Sequence, residues 1–185
     1  MNYSCEKEKE FAVPTIYILD TVSVCKLLKS IVYGESSHSS IPEFLHNASL
    51  IIPMSIYYKI IDARELPFPI IDNNNYSLTS TELQRITDFL EKLYTDTTEL
   101  SSTRNNSCTV YDTHGTFSLN FIFHTNVIGV FDTADYIKGF YPSSRIVILT
   151  DSITPLRGRC LDGYHFVSYD KFYAPVKPPY SSFDL

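Results

Sequence analysis

Two stretches of this chain are built to one plan. Thr15-Ile-Tyr-Ile-Leu-Asp20 near the start and Arg145-Ile-Val-Ile-Leu-Thr-Asp151 near the end are runs of β-branched and aliphatic residues that stop at an aspartate. A strand with one wet face would alternate polar and apolar residues. An unbroken apolar run suits a strand covered on both faces, as in a parallel sheet. Parallel strands need crossover helices, so the two runs confine the chain to an α/β architecture. In an open sheet of this kind ligands bind beyond the carboxyl ends of the strands. Asp20 and Asp151 are therefore expected at the carboxyl ends of adjacent parallel strands, with their side chains in one crevice. The competing reading makes each aspartate the cap of the helix that follows, accepting backbone N–H bonds.

The rest of the chain is consistent with that architecture. Thr21–Val32 places apolar residues at 24, 27, 28, 31 and 32, the spacing of a helix. A second buried strand is expected at 48–52, closed by Pro53, with a helix over 54–65 whose apolar positions are Ile56, Ile60 and Ala63. Residues 42–47 suggest a short helix. Leu66-Pro-Phe-Pro is a breaker, Asp72–Ser77 a loop, and Thr79-Ser-Thr-Glu82 carries the spacing of a capping box. The helix it opens is expected to reach about Tyr94, with Leu83, Ile86, Phe89, Leu90 and Leu93 along one side. Residues 101–107 read as disordered. Two alternating runs around His114-Gly115 predict a hairpin over 108–123. Residues 127–141 are helical only in part, because Gly129 and Gly139 weaken the pattern. After the strand at 145–150, a helix with proline in its first turn is expected at 155–160 and a short strand at 164–168. A turn at 170–173 follows. This makes one three-layer α/β domain over 14–174, with a central parallel sheet, flanking helices, an added β-hairpin and an insertion around 95–123. Residues 1–13 are read as a disordered N-terminus and 175–185 as a flexible tail.

Composition bounds the function. The 185 residues are enough for one domain with a substantial core. No apolar run approaches the ~20 residues that span a bilayer, and the charged first ten residues have no signal-peptide core. The expectation is an intracellular, reducing location, cytoplasmic or nuclear, without membrane contact. The 4 cysteines are scattered, with no zinc-ligand spacing. A net charge of −6 argues against a broad nucleic-acid footprint, and no DNA is expected as partner.

Ile18-Leu-Asp20-Thr21, Leu50-Ile-Ile-Pro53 with its following helix, and Ile146-Val-Ile-Leu-Thr-Asp151 with Leu156-Arg157 and Phe166–Phe172 together resemble the PIN-domain nucleases. The resemblance covers about residues 14–173, apart from 66–80 and 95–123. It implies metal-dependent phosphodiester hydrolysis, in which three or four carboxylates at strand ends hold Mg²⁺ or Mn²⁺ through oxygen ligands. Asp20 matches the first acid of the family and Asp151 the last. The second acid would fall on Lys59. The third, an acid pair directly before an apolar helix, would fall on Ala134 and Asp135. A lysine where a ligand should stand would repel a cation and satisfy its acidic neighbours itself. The pattern resembles the degenerate PIN domains of nonsense-mediated mRNA decay factors. That implies a module binding protein partners in RNA decay, with single-stranded RNA as a further partner and no cofactor.

The residues leave alternatives open. If Lys59 is a solvated helix residue, Asp62 or Glu65 would face the crevice instead. Asp132 and Asp135, three apart on one helical face, either supply a third acid or lie on the surface. If active, the domain would be a Mg²⁺- or Mn²⁺-dependent endoribonuclease using Asp20, Asp151 and some of Asp132, Asp135 and Asp62. Lys138, Arg145, Arg157 and Arg159 form either a basic patch or solvated pairs. The aromatic hairpin at 108–123 offers either a base-stacking platform or a core and partner-binding face.

Overall fold

The computed structural model describes residues 15–33, 48–65, 76–100, 107–112, 115–122, 129–150 and 164–169. Strand β1 (Thr15–Leu19) runs into helix α1 (Thr21–Tyr33), and β2 (Ser49–Pro53) into α2 (Met54–Ala63) with no loop between them. Helix α3 (Ser80–Leu100) precedes the strands β3 (Ser107–Asp112) and β4 (Gly115–Ile122). Helix α4 (Val130–Phe140) leads to β5 (Arg145–Leu149), and β6 (His165–Val167) is last. The expected elements at 42–47, 155–160 and 170–173, the stretch 101–106, and both termini lie outside the described residues, as do Asp151, Arg157 and Arg159.

The sheet order is β3-β4-β2-β1-β5-β6. Strands β4, β2, β1, β5 and β6 are mutually parallel, and β3 runs antiparallel to β4 at one edge. The chain is an α/β fold with a central parallel sheet. The predicted hairpin is present, with Asp112 paired to Gly115. It is not an appendage, because Ser118 to Ile122 of β4 pair with β2 and so carry the sheet outward. Asn120 of β4 ties the junction by donating to the Ser49 hydroxyl at 3.1 Å and the Leu50 carbonyl at 3.3 Å.

Alternation along the central strands sorts the core into two layers. Leu19, Leu50, Ile52 and Leu149 pack with Val24, Leu27 and Leu28 of α1, Ile56 and Ile60 of α2, and Leu83, Ile86 and Leu90 of α3. Ile16, Ile18, Ile51, Ile146, Ile148 and Phe166 point the other way, against Ala134 and Ile137 of α4. Both faces are buried, which is why these strands read as unbroken apolar runs. The capping box forms as predicted. The Thr79 N–H donates to Glu82 Oε2 at 2.8 Å, and the Glu82 N–H donates to Thr79 Oγ1 at 3.2 Å.

Two expectations need correction. Helix α3 continues to Leu100 rather than ending near Tyr94. Residues 130–140 form an unbroken helix, not a partial one, and Gly129 is its N-cap.

Candidate functional site

The carboxyl edge of the sheet is built around Asp20, the first residue beyond β1. Its N–H donates to the Leu149 carbonyl of β5 at 3.1 Å, continuing the strand pairing by one residue. Its C=O accepts the Val24 N–H at 3.0 Å, the first bond of α1. Its Oδ1 accepts the Ser23 N–H at 2.8 Å. This is N-cap geometry, satisfying one of the donors that a helix start leaves without an intrahelical partner. Capping is thus a role Asp20 performs, whatever else it does.

Ser23, fully buried, fastens the same corner. Its hydroxyl donates to the Leu149 carbonyl at 3.1 Å, so that carbonyl accepts from both Asp20 and Ser23. One bond further along, the Thr150 N–H donates to the Val167 carbonyl of β6 at 3.0 Å. The first turn of α1 and the ends of β1, β5 and β6 are therefore stitched into one polar rim. Ser23 was not singled out from sequence. Its signal is the Asp-x-x-Ser spacing after an apolar run, which puts the serine one turn inside the helix and over the neighbouring strand end.

Leu19 pairs with Leu149 in parallel register, so Asp20 lies level with Thr150, the residue before Asp151. β1 and β5 are adjacent and parallel, as the two matched runs imply. Asp151 itself lies beyond the described residues.

Cys25 lies inside this corner, fully buried. Burial pushes its thiol pKa far up, the Asp20 carboxylate adds to the rise, and the Lys59 ammonium opposes it. Asp20 and Lys59 therefore act electrostatically on one point from β1 and α2. Lys59 itself is exposed, and no ion pair joins it to Asp20 among the described residues. The buried side of α2 carries Ile56, Tyr57, Ile60 and Ala63, which leaves Lys59 and Asp62 toward solvent. Glu65 is also exposed, 4.0 Å from Arg64.

The two acids of α4 part company. Asp132 sits in the first turn of the helix. Helix α4 leads into the amino end of β5, so its first turn lies toward the carboxyl edge, on the side of Asp20. Asp135 is exposed one turn later and accepts the Tyr164 hydroxyl. Partial burial and this bond push the Tyr164 pKa up to about 12. Ala134 is fully buried against the central strands. The helix begins four residues before Ala134, so Ala134 and Asp135 occupy its middle, and the acid at its start is Asp132.

Among the described residues, no three His, Cys, Asp or Glu side chains gather closely enough to hold a metal ion. No protein-family model, no curated protein and no solved structure matches this chain.

Proposed function

We propose that this domain is a PIN-like module with an incomplete acidic site, acting as a protein-interaction or RNA-associated unit in RNA metabolism such as mRNA decay. The reading is supported by Asp20 at the end of β1, where its carboxylate accepts the α1 N-cap bond, and by a lysine at position 59 whose ammonium opposes the effect of Asp20 on the buried Cys25 thiol. A divalent cation binds where several carboxylates concentrate negative potential. Here the position that the resemblance reserves for an acid holds a lysine, on the exposed side of α2. The Asp20 carboxylate also accepts the α1 N-cap bond, so its position answers to the helix as well as to any ligand.

A Mg²⁺- or Mn²⁺-dependent endoribonuclease is the second reading, and Asp132 favours it. Its place in the first turn of α4 brings a second carboxylate toward the carboxyl edge.

Thermal melts with and without Mn²⁺ separate the two. Wild type should melt at the same temperature in both. Lys59→Glu should gain a Mn²⁺-dependent rise, because a ligand that binds only the folded state stabilises it by mass action, about 2.7 kcal/mol at a hundredfold excess over Kd. A comparable rise in wild type, with Mn²⁺-dependent cleavage of single-stranded RNA lost in Asp20→Asn, establishes the nuclease instead. A Lys59→Glu variant with no metal response removes the incomplete-site reading.

A further inference from the structure

Beyond its buried side, helix α4 carries two different stripes. Asp135 and Lys138 turn toward β6, where Asp135 accepts the Tyr164 hydroxyl and the Lys138 Nζ stands 4.9 Å from the centre of the Tyr164 ring. Phe131, one turn before Asp135, meets Phe166 of β6 with 6.1 Å between ring centres. Thr133, Ala134 and Ile137 form the buried side. Asp132, Tyr136 and Phe140 follow one another at a spacing of four, so they line the flank away from β6. The Tyr136 and Phe140 rings lie 4.8 Å apart, tilted by 58°.

That flank ends in open aromatic surface. Phe140 is 64% exposed and Tyr141, which follows it, 56%. Among the described residues the other exposed large apolar side chain is Tyr58, on α2 in the opposite layer. Neighbouring exposed rings mark a contact surface more than an isolated ring does. The stripe has an acid at one end and rings along the rest, so a fitting partner combines a cation with groups that pack on aromatic faces. The chain holds such a segment in Pro175-Val-Lys-Pro-Pro-Tyr180. Its prolines fix their own φ and restrict the residues before them, a spacing that predicts polyproline II. Segments of that kind dock on aromatic-lined surfaces with little ordering entropy to lose.

We propose that residues 175–180 dock on this flank of α4, with Lys177 at Asp132, Pro178 and Pro179 on Tyr136, and Tyr180 toward Phe140. The chain is long enough to reach. Tyr169, the last described residue, lies just beyond the carboxyl end of β6, and the first turn of α4 lies toward the same edge. Residues 170–176 span about 22 Å in polyproline II, at ~3.1 Å each. The path from β6 to α4, which packs on β1 and β5, needs about 10 Å across the sheet and about 10 Å between layers. The spacings also match. Asp132 and Tyr136 are four helical residues and so about 6 Å apart, and two polyproline residues cover the same ~6 Å. With Lys177 opposite Asp132, Pro179 is therefore level with Tyr136, and the Tyr180 ring follows in the direction of Phe140. The proposal goes beyond the metal reading and uses neither Asp20 nor Lys59.

The test is the binding of a fluorescein-labelled peptide of residues 174–183 to the full chain, followed by anisotropy. In wild type the chain's own segment holds the surface at an effective concentration in the millimolar range and excludes the free peptide. The full chain with Pro178→Ser/Pro179→Ser should therefore bind the peptide at least about tenfold more tightly than wild type does. Adding Phe140→Ala to that variant should weaken binding about fivefold, whereas adding Tyr58→Ala should leave it within about twofold. A peptide with Lys177→Glu should bind about threefold more weakly, and Asp132→Lys in the protein should recover that loss. Melting curves verify that each variant folds. Equal affinity for wild type and the double proline variant, or no saturable binding to that variant, overturns the proposal. So does an equal loss from Phe140→Ala and Tyr58→Ala. A wild-type mass that doubles with concentration, and stays single in Phe140→Ala, overturns it by assigning the surface to a second copy. None of these outcomes bears on the Mn²⁺ melts, so the incomplete-site reading stands or falls separately.

Discussion

The two faces of the sheet are covered by unlike layers. On one, α1, α2 and α3 pack large aliphatic side chains against Leu19, Leu50, Ile52 and Leu149. On the other, the described cover is α4, whose buried residues are Thr133, Ala134 and Ile137. A thick layer of Leu and Ile buries much area and dominates stability, at roughly 25 cal/mol per Å² of apolar surface. A small residue such as Ala134 instead lets the helix backbone approach the strands closely, and leaves no room for anything larger. The contrast explains why position 134 does not suit an acid. An acid at 134 would need space and water, and neither exists at a fully buried position between α4 and the isoleucines of β1 and β5.

Ala134→Asp is the most severe way to break that comparison. A carboxylate there would be buried without a partner, and the cost expected is about 3–5 kcal/mol. Urea denaturation at neutral pH measures it as a fall in midpoint, with part of the loss recovered at acid pH, where the carboxyl is neutral. A loss below about 1 kcal/mol would mean that residue 134 faces solvent and that the described register of α4 is wrong.

At the rim between the layers, Asp20 distinguishes capping from charge. Asp20→Ala removes the acceptor of the Ser23 N–H and should cost about 0.5–2 kcal/mol. Asp20→Asn keeps an acceptor of nearly equal capping strength, so its midpoint should stay close to wild type. If Asn costs as much as Ala, the charge of Asp20 and not its bond to α1 holds this corner together.

How far the sequence discloses this molecule follows from which patterns are local. β1, β2 and β5 were legible because burial on both faces writes an unbroken apolar run. Helices α1 and α2 were legible from apolar spacing, and the start of α3 from Thr79 and Glu82. The end of α3, Thr95–Leu100, was not, because five of its six residues are Thr or acidic and leave no apolar stripe. Helix α4 was underestimated because Gly129 and Gly139 interrupt a pattern that tertiary packing overrides. Gly129 is the N-cap, and Gly139 is exposed, with nothing within 4 Å of where a Cβ would stand. The hairpin was read from its alternation, but no local pattern says that β4 lies beside β2. At the candidate site, Asp20 and its strand end were readable. The place of Asp132 was not, since assigning it requires knowing where α4 begins.

The smallest effect tests the thick layer at its edge. Glu82 accepts from Thr79 and meets Lys29 at 2.6 Å, which ties α3 to α1. The Lys29 ammonium first, then the Thr79 N–H, hold the Glu82 carboxyl below its usual pKa. A carboxyl whose folded pKa is depressed contributes stability above the unfolded value, about 4.3, and loses it as pH falls through the folded one. Glu82→Gln retains a capping side chain but not the charge, so it should cost about 0.2–1 kcal/mol at pH 7. Below the folded pKa the carboxyl is protonated in both states, and the variant and wild type should converge. Urea midpoints measured at neutral pH and then at falling pH until wild type and variant stop changing relative to each other check both statements. A difference that persists unchanged down to that acid limit would assign the contribution of Glu82 to its hydrogen bonds with Thr79, and the link between α1 and α3 would then rest on packing rather than on charge.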